Sequence, residues 1–187
     1  MKIEEITCKT ALSASKLPGL DYSLNPYVGC MHQCKYCYVP SILRMPFQEW
    51  KETVKIKRNI PAILSKETKS KKKGVIGIST VTDPYQPLEK KAQLTRYCLE
   101  VLIKKDFPIS IQTKSDLIIK DTDIITQFSN VEVMVSIGTL NDELRKLLEP
   151  GSSSIQQRIN VLKHFSKTMV KSHFFGLSTY PHSYYSC

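Results

Sequence analysis

The 187-residue chain has no run of about 18 apolar residues, so its sequence pattern gives no membrane-spanning helix and no membrane partner is expected. Its opening stretch, MKIEEITCKT, lacks the apolar core of a signal peptide, and a cytoplasmic location is expected. Acidic residues are few. Lys and Arg outnumber Asp and Glu by 27 to 17, the net charge is +10, and no Asp or Glu follows Glu149. That balance leaves a nucleic-acid partner open. The densest basic stretch, KETKSKKK at 66–73, carries five lysines and one glutamate but no interleaved aromatic residue, so it lacks the stacking surface that single strands need. It reads better as a solvated helix end or loop.

Cysteine is present in small number and uneven placement. Three of six, Cys30, Cys34 and Cys37, fall within NPYVGCMHQCKYCYVP at 25–40 with the spacing CxxxCxxC. In a reducing compartment such a triplet points to metal ligation rather than disulfides, and Cys8, Cys98 and Cys187 are expected to be free thiols. Sulfur ligands suit zinc or an iron–sulfur cluster, and both normally use four ligands. Zinc would need His32, Cys8 or Cys98 as the fourth, giving a structural or nucleic-acid-binding module. A four-iron cluster held by three cysteines leaves one iron open to a substrate or cofactor, which is an enzyme's arrangement.

The remaining chain alternates apolar runs with helical patterns. Residues 1–21 form a polar lead with a turn at Pro18-Gly19. Strands are predicted at 22–28, 75–80, 109–114 and 131–137, with at most a fifth near 169–176. Helices are predicted near 60–70, around Leu94, Cys98 and Leu102, and over 121–128. Another, capped by Asn141, presents Leu144, Leu147 and Leu148 as its apolar face. The last follows a capping box of Ser154 and Gln157. Strands and helices at this interval imply parallel βαβ units. Gly29 permits a sharp turn that places the cysteines beyond a strand's carboxyl end, where α/β folds bind ligands.

The string CxxxCxYC, with KTALSASKLPGLDYSLNPYVGC, STVTDPYQPLE, IQTKSDLIIKD and VEVMVSIGTL with its trailing EPG, resembles the spore photoproduct lyase-like branch of the radical S-adenosylmethionine (radical SAM) superfamily. The resemblance covers roughly residues 9–165. It implies an α/β fold, a partial (β/α)6 barrel incomplete at its C-terminal end, with a core over 22–167 and an atypical tail at 168–187. It also implies that Cys30, Cys34 and Cys37 hold a [4Fe-4S] cluster whose fourth iron takes S-adenosylmethionine, with reducing equivalents from a donor such as a flavodoxin or ferredoxin. Tyr36 would lie near adenine. Thr82 and Asp83 would lie near the methionyl ammonium, or simply form a turn at Asp83-Pro84. Lys114 would meet the carboxylate, and Ser136 would face the cofactor. Two departures stand out. Thr80 occupies a position where the lyases carry a hydrogen-returning cysteine, and the tail, with His173 and His182, has no periodic pattern and reads as a truncated or frame-shifted end. The alternatives are a zinc-binding module or an inactive fragment of such an enzyme.

Overall fold

The computed structural model describes residues 1–176. In chain order the elements are β1 (Lys2–Ile6), β2 (Leu12–Ala14), β3 (Tyr22–Leu24), β4 (Tyr27–Val28), α1 (Val39–Leu43), α2 (Phe47–Glu52), β5 (Thr53–Lys57) and α3 (Ile60–Glu67). They continue with β6 (Ile76–Ile78), α4 (Glu89–Ala92), α5 (Leu94–Ile103), β7 (Ile109–Thr113) and a 3-10 helix (Asp116–Asp121). The rest are α6 (Thr122–Ile125), β8 (Val131–Ser136), α7 (Asp142–Leu148), α8 (Ile155–Phe165) and β9 (Lys171–Phe175).

The main sheet has the order β2-β3-β6-β7-β8-β9. From β3 to β9 every pairing is parallel, and only β2 is antiparallel to its neighbour. This is the succession expected of a partial (β/α)6 barrel. Ile76, Ile78, Ile109, Ile111, Val133 and Val135 are at most 2% exposed. Removing each from water contributes about 2 kcal/mol. Helix α5 covers them with Leu94, Cys98 and Leu102, four residues apart, so Cys98 is a core residue as expected. The buried Glu89 carboxylate accepts the backbone N–H groups of Leu94 and Thr95, both at 3.1 Å, and thereby caps this helix. Among the described residues no helix is long and apolar enough to cross a membrane.

Several sequence expectations are corrected. The strand predicted over 22–28 is two strands in two sheets, because Pro26 offers no N–H to a ladder and Asn25 turns its side chain to Val81 N at 3.0 Å. The polar lead contains β1 and β2, and β1 joins β5 and β4 in a small second sheet. The helix predicted over 121–128 is shorter, a 3-10 turn capped by Ser115 running into α6. Helix α7 faces the other way: Leu147 is 70% exposed while Arg145 is buried. The capping box of α8 forms as read.

The stretch expected to be an atypical tail begins with β9, which pairs with β8 from Glu132↔Lys171 to Ser136↔Phe175. His173 lies on this strand, 3.8 Å from Glu132. The rest of that stretch, including His182 and Cys187, lies outside the described residues. Because β6, β7 and β8 run parallel, their carboxyl ends deliver Asp83, Lys114 and Ser136 to one end of the sheet. The lysine run, by contrast, enters β6 from its amino end.

Candidate metal centre and active site

The cysteine loop starts where β4 ends. Gly29 has φ +95°, and a Cβ there would stand 2.5 Å from the Thr53 carbonyl oxygen, so only glycine fits between β4 and β5. Gln86, fully buried, accepts from Met31 N at 2.9 Å, and Thr82 donates its hydroxyl to Gly29 O at 2.6 Å. Within the loop Cys37 N bonds Cys34 O at 3.2 Å. Cys30, Cys34 and Cys37 are free thiols, and all three line a cavity of about 680 Å³. Burial, then the nearby Asp83 charge, pushes the Cys30 thiol up to about 12. Burial pushes Cys34 up to about 11, with Lys114 pulling the other way. Both are therefore thiols at neutral pH, and a bound metal would have to displace their protons.

The strand ends complete the cavity wall, and Tyr36, Thr82, Asp83, Lys114 and Ser136 all line it. The geometry gives them different capacities. Asp83 is saturated: Oδ1 accepts from Tyr85 N at 2.9 Å and the Thr113 hydroxyl at 2.7 Å, and Oδ2 accepts from Lys114 N at 2.8 Å. His32 Nδ1 lies 3.3 Å from the same Oδ2. Burial alone would raise the Asp83 carboxyl, but His32 and these hydrogen bonds outweigh it and hold it down to about 2. The bond to Tyr85 N, two residues on, is the turn that Asp83-Pro84 suggested. Thr82 likewise spends its hydroxyl on Gly29 and Gln86. Ser136 Oγ accepts from Gln112 Nε2 at 3.1 Å. The Lys114 side chain carries its charge close to Cys34.

Residues 24–182 match the sequence profile of the radical SAM superfamily. The chain belongs to the radical SAM superfamily. It is 36% identical over 176 residues to an uncharacterized protein of Methanocaldococcus jannaschii, covering 94% of this chain and 66% of that relative. Its fold matches a spore photoproduct lyase complexed with dinucleoside spore photoproduct, with TM-score 0.71 and 18% identity over 96% of this chain and 52% of the lyase. A lyase variant with bound AdoMet and dinucleoside spore photoproduct gives TM-score 0.64 and 18% identity, covering 92% of this chain and 50% of that one. The chain therefore spans about half the length of these solved structures.

The three-thiol donor set of this radical SAM chain would suit an iron–sulfur cluster. Three free thiols share one short loop and one cavity, and His32 Nδ1 faces Asp83, a contact that orients the ring without occupying Nε2. Among the described residues no three His, Cys, Asp or Glu side chains converge on a point suited to a single metal ion. The sequence reading missed the segment that grips this loop from outside. Leu148 O accepts from Lys35 N at 2.8 Å, and Gly151 N donates to His32 O at 3.0 Å. Glu149, 3% exposed, accepts the Tyr36 hydroxyl with one oxygen and bonds the fully buried Arg158 at 2.5 Å with the other. The trailing EPG was visible in the sequence. Arg158, three residues after Ile155 on an otherwise apolar helix face, was the unread signal.

Proposed function

We propose that this chain is a radical SAM catalytic core in which Cys30, Cys34 and Cys37 hold three irons of a [4Fe-4S] cluster, leaving the fourth for the amino and carboxylate groups of S-adenosylmethionine. The observation that carries this reading is the convergence of three free thiols and three strand ends on one cavity of about 680 Å³. When bound and reduced, the cluster supplies one electron that cleaves S-adenosylmethionine to methionine and a 5'-deoxyadenosyl radical able to abstract hydrogen from a substrate.

The chain's own residues bind, orient and enclose. Lys114, which lines the same cavity as Cys34 and acts on it electrostatically, would pair with the methionyl carboxylate. Asp83 serves by fixing the Lys114 backbone and His32, because its oxygens are already taken. Ser136 and Gln112 offer hydrogen bonds from the sheet, and Trp50, 2% exposed, is an apolar wall against water. Tyr36, which also lines the cavity, would lie near adenine as the family resemblance implies. A flavodoxin or ferredoxin would supply the electron. Thr80, whose hydroxyl accepts from Asn25 at 3.3 Å, provides no thiol to return hydrogen to a product radical. The substrate is therefore assigned no closer than a molecule with an abstractable hydrogen. The test is anaerobic: reconstituted, dithionite-reduced protein should release 5'-deoxyadenosine from S-adenosylmethionine, and Cys34→Ala should not. Release by neither protein would remove the assignment.

A further inference from the structure

We propose that Glu149 and Arg158 are positioning residues for the cysteine loop, acting through the Tyr36 hydroxyl to fix the segment between Cys34 and Cys37. The cluster that this segment would hold rests on the reading above; the positioning does not.

Arg158 has no solvent exposure, and its guanidinium is bonded on every side. Nε donates to Ser153 O at 2.9 Å, Nη1 to Ser136 O at 2.8 Å, and Nη2 to Glu149 Oε2 at 2.5 Å and to the Ser152 hydroxyl. Ser136 is the last residue of β8, and Arg158 itself sits on α8. The guanidinium therefore ties a strand end, a helix and Glu149 into one rigid unit. Glu149 is held at one oxygen and presents the other to Tyr36. Tyr36 lies between Cys34 and Cys37, next to Cys37, and its half-exposed side chain lines the cavity.

A buried ion pair is a poor way to gain stability, since apolar residues of similar volume often serve the fold as well or better. Its directional value is different. A carboxylate held by a guanidinium that is itself fixed on its other nitrogens gives a fixed acceptor, and a charge-assisted bond to it is shorter and stronger than a neutral one. Two backbone bonds, Lys35 N to Leu148 O and Gly151 N to His32 O, brace the same loop from the same segment. With the Tyr36 bond they form three tethers on one side of the thiols.

The test uses the full chain with and without the cluster. In apo protein, alkylation of each cysteine by iodoacetamide is followed by peptide mass, with core Cys98 as internal reference. Tyr36→Phe removes one exposed-side oxygen and should leave Cys98 as slow as before while alkylating Cys34 and Cys37 about tenfold faster, the factor for one charge-assisted bond. Glu149→Gln, which keeps an acceptor but gives up the charge that strengthens the Tyr36 bond, should accelerate the same two cysteines by a smaller factor and leave Cys98 unchanged. In reconstituted protein, Tyr36→Phe should release iron to a chelator about tenfold faster. Equal acceleration of Cys98 would indicate a merely structural role and overturn the proposal. So would unchanged rates at Cys34 and Cys37. If wild-type protein takes up no cluster yet Tyr36→Phe selectively exposes the two thiols, the cluster reading falls and the positioning stands.

Discussion

Gly151→Ala tests how tightly the EPG segment and the cysteine loop are fitted together. A Cβ at Gly151 would stand 2.1 Å from Met31 O and 2.9 Å from His32 Cα, both backbone atoms. The first is more than about 1 Å short of van der Waals contact, and no side chain can rotate to relieve it. Overpacking of this kind costs about 1–3 kcal/mol. The Gly151 N–H bond to His32 O, 3.0 Å long, would be lost with any separation and adds about 1 kcal/mol. The expected loss is about 2–4 kcal/mol if the loop holds its place. A smaller loss is expected if the loop yields, but then the thiols move and iron uptake falls. Urea titration of the reduced apo protein measures the first outcome, and iron content after anaerobic reconstitution measures the second. Gly138→Ala is the control, because nothing lies within 4 Å of its Cβ. Gly151→Ala protein with the stability and iron content of wild type would refute the close fit.

Three further outcomes follow from the same structure. Lys114→Ala should weaken S-adenosylmethionine binding about tenfold or more while leaving iron content unchanged, measured by titration of the reconstituted protein; unchanged affinity would remove Lys114 from the site. Asp142 is held down to about 2, first by its hydrogen bonds from Arg145 and then by Ile155 N. Its folded-state value lies below its unfolded one, so its contribution is complete above about pH 4 and disappears as pH falls through 2. Asp142→Asn should flatten the decline of the urea midpoint across that window, and an unchanged decline would contradict the assignment. Cys98→Ala empties a fully buried position and should cost about 1–2 kcal/mol in a urea titration without changing iron content. Lost iron would bring Cys98 into the ligand set.

The succession of strands was legible because each carries buried β-branched residues, Ile76 and Ile78, Ile109 and Ile111, and Val131, Val133 and Val135, between helical patterns. The cysteine loop was legible because ligand spacing is local. Strands β1 and β5 were not, since KIEEI and TVKIK form a small, half-exposed sheet whose pattern is mostly polar. Periodicity marked Leu144 and Leu147 as one face of α7, but a pattern of one helix does not say where its neighbours lie, and the structure buries Arg145 instead. The candidate site shows the same limit. Asp83 and Lys114 could be placed at strand ends from sequence, whereas the saturation of Asp83 depends on Thr113 and His32, far from it along the chain. The link from Tyr36 through Glu149 to Arg158 spans more than a hundred residues and leaves no local signature.

The central claim is that Cys30, Cys34 and Cys37 hold a cluster with one iron open to S-adenosylmethionine. It is tested most directly by electron paramagnetic resonance of anaerobically reconstituted, dithionite-reduced protein, recorded with and without S-adenosylmethionine and accompanied by iron, sulfide and zinc analysis. The account predicts equal iron and sulfide, a reduced-cluster signal, and a change in that signal when S-adenosylmethionine is added. Tightly bound zinc with no reducible cluster, from material kept anaerobic throughout, would contradict it.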